Sequence, residues 1–198
     1  MRPGAELDPV FFQRDTTIVA RDLLGKWLVR RMGDGRIIEA EISETEAYRG
    51  YLDGASHGSR RQTERNRAMF CAAGTIYVYV IYGVHHCLNL VTEEDGFPAA
   101  VLIRSARLIN DGTWLRGPGV VCRALQIDRQ LNGLELGNSP IAVEDGGGLS
   151  PWVTARRVGV ENAGQPAGWG WRYMTLDAGR NVHARLTGAD LSARDAGF

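Results

Sequence analysis

The chain has almost no lysine: Lys26 is the single lysine in 198 residues, and arginine supplies the remaining fixed positive charge. Enzymes that work through a Schiff base need an amine nucleophile. Lys26 comes well before the acidic and aromatic residues that carry the candidate chemistry. The sequence therefore predicts no Schiff-base reaction.

Cysteine and long apolar runs are also scarce. The cysteines are odd in number and far apart, with no C-x-x-C, which argues against a zinc ribbon and indicates reduced core thiols; they are Cys71, Cys87 and Cys122. No run approaches the roughly 18 apolar residues that span a bilayer. The opening residues, MRPGAELDPVFF, lack the pattern of a signal peptide. We expect a cytoplasmic protein without a membrane partner.

Net charge is absent as well, because 23 basic residues balance 23 acidic ones. Most nucleic-acid-binding domains are basic. Five arginines nevertheless crowd a segment whose acids are Asp53 and Glu64; they are Arg49, Arg60, Arg61, Arg65 and Arg67. Arginine suits planar phosphate contacts, and a solvated face is the alternative explanation. A neutral chain with a local basic patch predicts modest affinity for nucleic acid and a shallow salt dependence.

Residues 75–92, TIYVYVIYGVHHCLNLVT, carry the strongest strand signal in the chain. The break at Tyr82-Gly83 predicts a hairpin. Tyr77 and Tyr79 share one face because strand side chains alternate, and core packing explains Tyr77 simply. Tyr82 falls at the tip, where a large ring has no core to enter. Such a ring resembles the wedges that DNA-binding proteins insert between base steps.

A second long strand is predicted over residues 36–48, after a strand at 26–32 and a turn at 33–35. One face is predicted to be wet; it carries Glu39, Glu41, Ser43 and Thr45. The other begins apolar and then turns acidic; it carries Ile38, Ala40, Ile42, Glu44, Glu46 and Tyr48. A carboxylate on a core face is costly unless it is paired or used. Glu46 is the first candidate for a functional acid and Glu44 the competing one. The alternative is a strand that bends or bulges, with both acids paired to arginines.

Weaker signals place the remaining elements. They predict a helix at 16–24 capped by Asp15 or Thr16, a loop at 50–67 with Thr63 capping a turn through Met69, a strand at 99–104, a loop at 110–119, a helix at 120–127 and a strand at 155–160. The Gly-Pro-Gly entry to the helix at 120–127 is either a phosphate site or an ordinary junction. The length fits one domain over residues 1–198, with a weakly patterned tail at about 177–198.

Seven stretches together resemble the alkyladenine (3-methyladenine) DNA glycosylase family. They are LLGKWLVRR, ETEAYRG, ASHGSRRQTERNRAMF, TIYVYVIYGVHHCLNLVT, AVLIR, GPGVVCRAL and ARRVGV, and they run in family order from about residue 23 to residue 160. None is decisive alone. The ordered set of ETEAY, ASH, RN-x-x-MF, YVY-x-x-YG and C-x-N is very specific.

The resemblance implies a mixed α/β (α+β) fold in a single compact domain, with a curved antiparallel sheet, flanking helices and a protruding β-hairpin. It also implies a base-excision-repair enzyme without a cofactor. Such an enzyme flips alkylated or deaminated purines, among them 3-methyladenine, ethenoadenine and hypoxanthine, out of double-stranded DNA and hydrolyses the N-glycosidic bond with water. We expect an abasic product, no lyase activity, and a monomer that associates with the nucleoid when it is bound to DNA.

The family motifs also imply roles for individual positions. Glu46 would be the general base, and Arg104 with the backbone carbonyl of Val158 would hold the water. Tyr48, His57 and Tyr79 would line the base pocket, Asn89 would disfavour a purine with a 2-amino group, and Tyr82 would be the wedge. The arginine cluster and the Gly-Pro-Gly helix entry, rather than the family motifs, suggest the contacts to the DNA backbone; they are Arg60, Arg61, Arg65, Gly117 and Gly119. No metal is expected.

Three features depart from the family pattern. Val120 stands where many relatives carry lysine, Val84 stands where methionine is common, and the connection at 105–116 is short. These departures leave open a damage-binding protein without turnover. A metal hydrolase using Asp53, His57 and one of His85 and His86 is a further alternative, although His85 and His86 point to opposite faces and do not chelate one metal together.

Overall fold

The computed structural model describes residues 4–146 and 151–178. Its helices are α1 (Pro9–Phe12), α2 (Thr16–Asp22) and α3 (Pro118–Ala124). Its strands are β1 (Trp27–Arg31), β2 (Ile37–Arg49), β3 (Ile76–Ile81), β4 (His85–Val91), β5 (Ala99–Leu108), β6 (Trp114–Arg116), β7 (Ile141–Glu144), β8 (Trp152–Ala155) and β9 (Arg172–Thr175). Short 3-10 turns cover Arg67–Phe70, Arg129–Leu131, Leu136–Asn138 and Gln165–Gly168. Nearly all of the predicted tail lies outside the described residues.

One curled antiparallel sheet organises the molecule. Six strands follow the order β3-β4-β5-β2-β1-β7, while β6 adds to β5, and β9 joins both β2 and β8. The long strand β2 is central, since it pairs with β1, β5 and β9. The mixed α/β fold with a curved antiparallel sheet is confirmed. Within the described ranges, no helix has the length and apolar character needed to cross a membrane.

The helices cover one face of the sheet. Asp15 caps α2 as predicted, because its carboxylate accepts the backbone N–H groups of Thr17 and Ile18. Val19 and Ala20 of α2 and Val121 of α3 are fully buried in the main core with residues of β1, β2, β4 and β5. Because the helices and the main core occupy one face of β2, only the opposite face is left to contribute to a site.

The predicted faces of β2 are wrong in the second half of the strand. Pairing with β5 is irregular between Ile42 and Thr45, and both strands change face there. Ala40 and Ile42 enter the main core, and so does Ala47, while the hydroxyl of Thr45 donates to the Ala20 carbonyl of α2. A bulge of this kind re-aims the side chains that follow it. Glu44, Glu46 and Tyr48 therefore lie opposite the face of Ile42.

The same irregularity reverses β5. Ile103 and Ala106 are three residues apart, and both lie in the main core. Arg104 is consequently directed to the face that carries Glu44 and Glu46. The predicted wet face is wrong too, because Ser43 and Thr45 are buried. The alternative of a bulged strand with arginine partners describes this part of the structure.

Four further element predictions are corrected. The predicted strand at 99–104 continues to Leu108, and the predicted loop at 110–119 contains β6, because β5 and β6 form a hairpin. The predicted strand at 155–160 ends at Ala155. The turn through Met69 is not capped by the side chain of Thr63, which instead hydrogen-bonds with Asn66.

Candidate active site

A cavity of about 380 Å³ opens beside the β3–β4 hairpin. Strands β2, β3, β4 and β5 and the loops before β3 and after β8 supply its walls. It brings together the residues that the sequence predicts for a base pocket and for catalysis, apart from Glu46; those lining it are Tyr48, His57, Tyr79, Tyr82, Asn89, Arg104 and Val158. Arg65, Met69, Tyr77, Leu102 and Pro118 complete much of the remaining surface.

Glu46 lies directly behind this wall and has no exposed surface. Three cavity residues hold its carboxylate. The Tyr48 hydroxyl lies 2.8 Å from Oε2, Arg104 Nη1 lies 3.4 Å from Oε2, and the Val158 N–H donates to Oε1 at 2.8 Å. A buried acid is thereby positioned behind the cavity wall, with donors oriented toward its ionised form.

Burial raises the pKa of Glu46 above the usual range, although Arg104, the Val158 N–H and Tyr48 all favour the carboxylate. Burial also raises the pKa of Tyr48, and the neighbouring Glu46 charge raises it further. Tyr48 therefore remains a hydrogen-bond donor at neutral pH. A raised carboxyl pKa in a cavity wall is typical of acid–base groups.

The surroundings of Glu44 shift its pKa in the opposite direction. Its Oε1 accepts from Arg172 at 2.6 Å and from Arg104 at 3.0 Å, and its Oε2 accepts from Ser105 at 2.8 Å. Burial works against the charge, yet the two guanidinium groups and the hydroxyl hold the pKa of Glu44 below its usual range. The ionised form of Glu44 is thus favoured and anchors two arginines, whereas Glu46 has the environment of a proton acceptor.

Aromatic rings form the wall on the hairpin side. The rings of His57 and Tyr79 meet edge to face at 4.6 Å, and those of Tyr77 and Tyr79 are tilted at 5.5 Å. His57 Nδ1 lies 2.9 Å from the Tyr77 hydroxyl. Loss of water around the packed imidazole lowers the pKa of His57, and the Arg65 charge lowers it further. A neutral imidazole adds no positive charge to this wall, so it does not repel an electron-poor or cationic heterocycle.

Asn89 presents an acceptor to the cavity. Its Nδ2 donates to the carbonyl oxygens of Tyr77 and Cys87 at 3.1 and 3.2 Å. Carbonyl oxygens only accept, so the amide group that faces them is the NH₂ and the cavity side is Oδ1. Asn89 is 3% exposed, and this orientation is fixed by the β-hairpin backbone.

The hairpin projects Tyr82 into solvent, with 91% of its surface exposed. Tyr82 and Gly83 both have positive φ, at 52° and 74°, and the Val84 N–H donates to the Ile81 carbonyl. This is the geometry of a tight hairpin turn. The predicted tip is confirmed as a structural feature. Nη2 of Arg65 donates to the Val80 carbonyl of the same hairpin at 3.4 Å.

The other predicted backbone contacts lie on two segments. Arg60 and Arg61 are exposed on the loop before β3. Gly117 and Gly119 flank the start of α3, where the Gly117 N–H already donates to the Ser105 hydroxyl at 3.4 Å. Pro118 has no N–H, so the phosphate contact predicted for this triplet reduces to Gly119. Val120 packs against the main core.

The residues of the metal alternative are not brought together. Asp53 is paired with Arg157, and His57 contacts Tyr77, whereas His85 and His86 line a separate cavity against α3. The described ranges contain no group of three or more potential metal ligands. The pairing of Asp53 with Arg157 was not predicted, because 104 residues separate them in the chain. The sequence offered two signals for this ion pair, which are the acid Asp53 in a Gly-containing loop and the adjacent arginines Arg156 and Arg157.

Comparison with known proteins shows the family to which the chain belongs. Residues 10–178 match the family model described as methylpurine-DNA glycosylase, and the chain belongs to that family. A protein of Methanocella arvoryzae is 45% identical over 178 residues, which cover 82% of this chain and 88% of the relative. One from Anaeromyxobacter sp. is 48% identical, covering 82% and 85%, and one from Desulfitobacterium hafniense is 40% identical, covering 85% and 94%. All three are named "Putative 3-methyladenine DNA glycosylase".

Proposed function

We propose that this chain is a monofunctional DNA glycosylase. It removes alkylated or deaminated purines such as 3-methyladenine, ethenoadenine and hypoxanthine from double-stranded DNA and leaves an abasic site. The observation that carries the proposal is the buried Glu46 carboxylate, which three residues of an aromatic cavity hold behind its wall; they are Tyr48, Arg104 and Val158. Membership of the methylpurine-DNA glycosylase family supports the same activity.

The first step is extrusion of the damaged nucleotide. A glycosidic bond inside a duplex is unreachable, and unstacking a base costs a few kcal/mol. Tyr82 offsets part of this cost by filling the space that the base leaves. The exposure of Tyr82 and its place at the rim of the same cavity support the assignment.

The second step is recognition of the base in the cavity. Aromatic stacking contributes about 1–3 kcal/mol per base, and Tyr48, His57 and Tyr79 are the rings available for it. An electron-poor alkylated purine stacks better on electron-rich rings, which favours damaged bases. Asn89 is fixed by two backbone carbonyls, and it disfavours a purine with a 2-amino group because its side chain fills the space that this group would occupy.

The third step is hydrolysis. Glu46 takes a proton from a water held by Arg104 and the Val158 carbonyl, the water oxygen bonds to C1′, and the base leaves with the electron pair of the glycosidic bond. The Glu46 carboxylate also stabilises the positive charge that develops on the sugar. General-base assistance typically contributes about 10²–10⁴ in rate.

The single lysine of the chain does not place an amine in the cavity for a lyase step. Lys26 Nζ lies 2.7 Å from Asp145 Oδ1 in an ion pair at the start of β1, and it does not line the cavity. The abasic product therefore stays unbroken until another activity cleaves it.

A panel of duplexes, each with one 3-methyladenine, ethenoadenine or hypoxanthine, tests the proposal. We expect free base by mass spectrometry, with strand breaks appearing after alkaline treatment and not before it. Binding to an ethenoadenine duplex with no base released, at high protein concentration and long times, would instead identify a damage-binding protein. Strand breaks without alkali would contradict the monofunctional assignment.

A further inference from the structure

A buried ion pair outside the cavity contacts several parts of the candidate site. Arg157 and Asp53 have no exposed side-chain surface. Their contact is a two-pronged fork, in which Nη1 donates to Oδ2 at 2.6 Å and Nη2 donates to Oδ1 at 2.8 Å. Bidentate pairing of this kind fixes orientation as well as distance.

The Arg157 guanidinium joins the strand of the general base to the loop beside it. Nη1 also donates to the Ala47 carbonyl at 2.8 Å, between Glu46 and Tyr48 on β2. The guanidinium carbon lies 4.7 Å from the centre of the Tyr48 ring. Val158, the next residue after Arg157, is the one whose N–H binds Glu46.

Asp53 extends this connection to the loop that carries His57. Its carboxylate accepts the backbone N–H groups of Arg49 and Ala55, each at 3.1 Å. Ala55 lines the cavity, and His57 follows two residues later. The ion pair thus ties β2, the loop of His57 and the loop of Val158 to one point.

Stability alone does not explain the pair, because a buried ion pair is often no more stabilising than apolar residues of similar volume. We propose that Arg157 and Asp53 are positioning residues, which hold the Val158 N–H on Glu46 and the Tyr48 ring at the cavity wall. The inference rests on the proposed glycosylase function. Neither Arg157 nor Asp53 lines the cavity, and neither donates or accepts a proton in the reaction.

The proposal has a consequence for pH dependence. The hydrogen bond from the Val158 N–H favours the ionised form of Glu46. If the Val158 N–H is displaced, the pKa of Glu46 rises, and the acid limb of the rate profile moves to higher pH. A hydrogen bond to a charged group corresponds to a shift of about one pH unit. Tyr48 also faces Glu46, and loss of its hydrogen bond would move the limb in the same direction. The other titratable or charged groups that face Glu46 remain in place; they are Tyr79, Cys87, Arg104 and Arg172, with Glu44 sharing Arg104.

Arg157→Lys tests the inference because it keeps the charge and removes the fork. We expect the single-turnover rate of ethenoadenine excision to fall by about 10², the cost of a misplacement near 1 Å. The acid limb should move up by about one pH unit. Affinity for the duplex should change less than about threefold, because Arg157 does not line the cavity and substitutions away from a contact have small effects.

Arg49→Lys is the control, since the Arg49 side chain forms a partly exposed fork on Glu93 outside the cavity, and the substitution leaves the backbone N–H of Arg49 on Asp53. It should lower the melting temperature while leaving the excision rate and the acid limb unchanged. If Arg157→Lys does not yield folded protein by circular dichroism, Asp53→Asn carries the same test, because it keeps the shape and weakens the fork.

The outcomes separate the two proposals. An active wild-type chain with an unchanged rate and acid limb in Arg157→Lys overturns the positioning role alone. Equal losses in Arg157→Lys and Arg49→Lys overturn it as well, because they indicate a general effect on stability. A wild-type chain that releases no base overturns the proposed function itself.

Discussion

At the scale of single residues, the two acids of β2 differ because their neighbours differ. Glu44 is surrounded by two guanidinium groups and a hydroxyl, whereas Glu46 shares one guanidinium and lies fully buried. Residues two apart on a strand face the same side, so sequence spacing alone leaves the pair equivalent. The distinction comes from Arg172, which β9 brings to Glu44 from 128 residues away.

The excision rate should fall as pH decreases through the pKa of Glu46. Burial raises this pKa above the ordinary glutamate value of about 4.3. Below the pKa the acid is protonated and takes no proton from water; above it the carboxylate is available and the rate reaches a plateau. Single-turnover rates on an ethenoadenine duplex across the acidic range, with circular dichroism to verify folding, measure this limb. A midpoint at or below the ordinary value would contradict the assignment.

Removal of Glu44 should destabilise the fold. Glu44→Ala leaves Arg172 and Arg104 buried without their shared partner, and breaking a buried pair in this way typically costs about 3–5 kcal/mol. Glu64→Ala is the control, because Glu64 makes an exposed pair with Arg67 at 3.9 Å, and exposed pairs contribute about 0–1 kcal/mol. Urea unfolding of both variants measures the difference. Equal, small losses would refute the structural role of Glu44.

At the scale of elements, the β3–β4 hairpin combines strain with exposure. Tyr82 has φ 52°, a conformation that a bulky residue adopts at a cost of about 1–2 kcal/mol. An asparagine tolerates this conformation better. The tip therefore keeps a costly aromatic ring where a polar turn residue would be more stable, which fits a wedge.

Tyr82→Asn should stabilise the free protein by up to about 1 kcal/mol and reduce excision from duplex DNA by at least about tenfold. Excision from single-stranded DNA should change little, since no helix has to be opened. Gln126→Asn is the control, because Gln126 also has positive φ, at 49°, and lies outside the candidate cavity. If Tyr82→Asn changes the excision rate, relative to wild type, by the same factor on duplex and on single-stranded DNA, Tyr82 does not act as a wedge.

The β1–β2 and β3–β4 hairpins and α2 were predictable because their signals are local, whereas the β5–β6 hairpin was missed. The turn at Tyr82-Gly83, the β1–β2 turn and the Asp15 cap each rest on a few adjacent residues. The change of face near Ile42 was not predictable from β2 alone, because it depends on a matching irregularity in β5. Strand β9 escaped prediction because its pairing with β2 is distant in sequence.

At the scale of the whole molecule, a neutral chain has to bind a polyanion through a local surface. Three arginines of the loop before β3 are the proposed phosphate contacts; they are Arg60, Arg61 and Arg65. Three contacts predict a slope of about −3 for the logarithm of the binding constant against the logarithm of salt concentration. This is a shallow dependence for a DNA-binding protein.

Replacement of all three arginines by glutamine should bring that slope close to zero and weaken binding at low salt. Arg36→Gln is the control, because Arg36 is exposed in the β1–β2 turn and pairs with Asp34. Fluorescence anisotropy on a lesion duplex over a range of salt concentrations measures both. An unchanged slope in the triple variant would place the DNA on another surface.

The ordered motifs predicted most of the residues of the candidate site, because each motif supplies residues that line one wall of the cavity. Tyr48, His57, Tyr79, Asn89 and Arg104 line one cavity although they come from four separate stretches. The residues that hold those walls together were not predictable. Asp53 and Arg157 form their fork only in the folded chain, and neither is unusual in its own stretch.

Single-turnover release of ethenoadenine by Glu46→Gln is the most direct measurement, with Glu41→Gln on the same strand as the control. Glu41 lies outside the candidate cavity. We expect Glu46→Gln to lose about 10²–10⁴ in rate while it still binds the lesion duplex, and Glu41→Gln to match wild type. Wild-type rates in Glu46→Gln would contradict a buried glutamate that activates water.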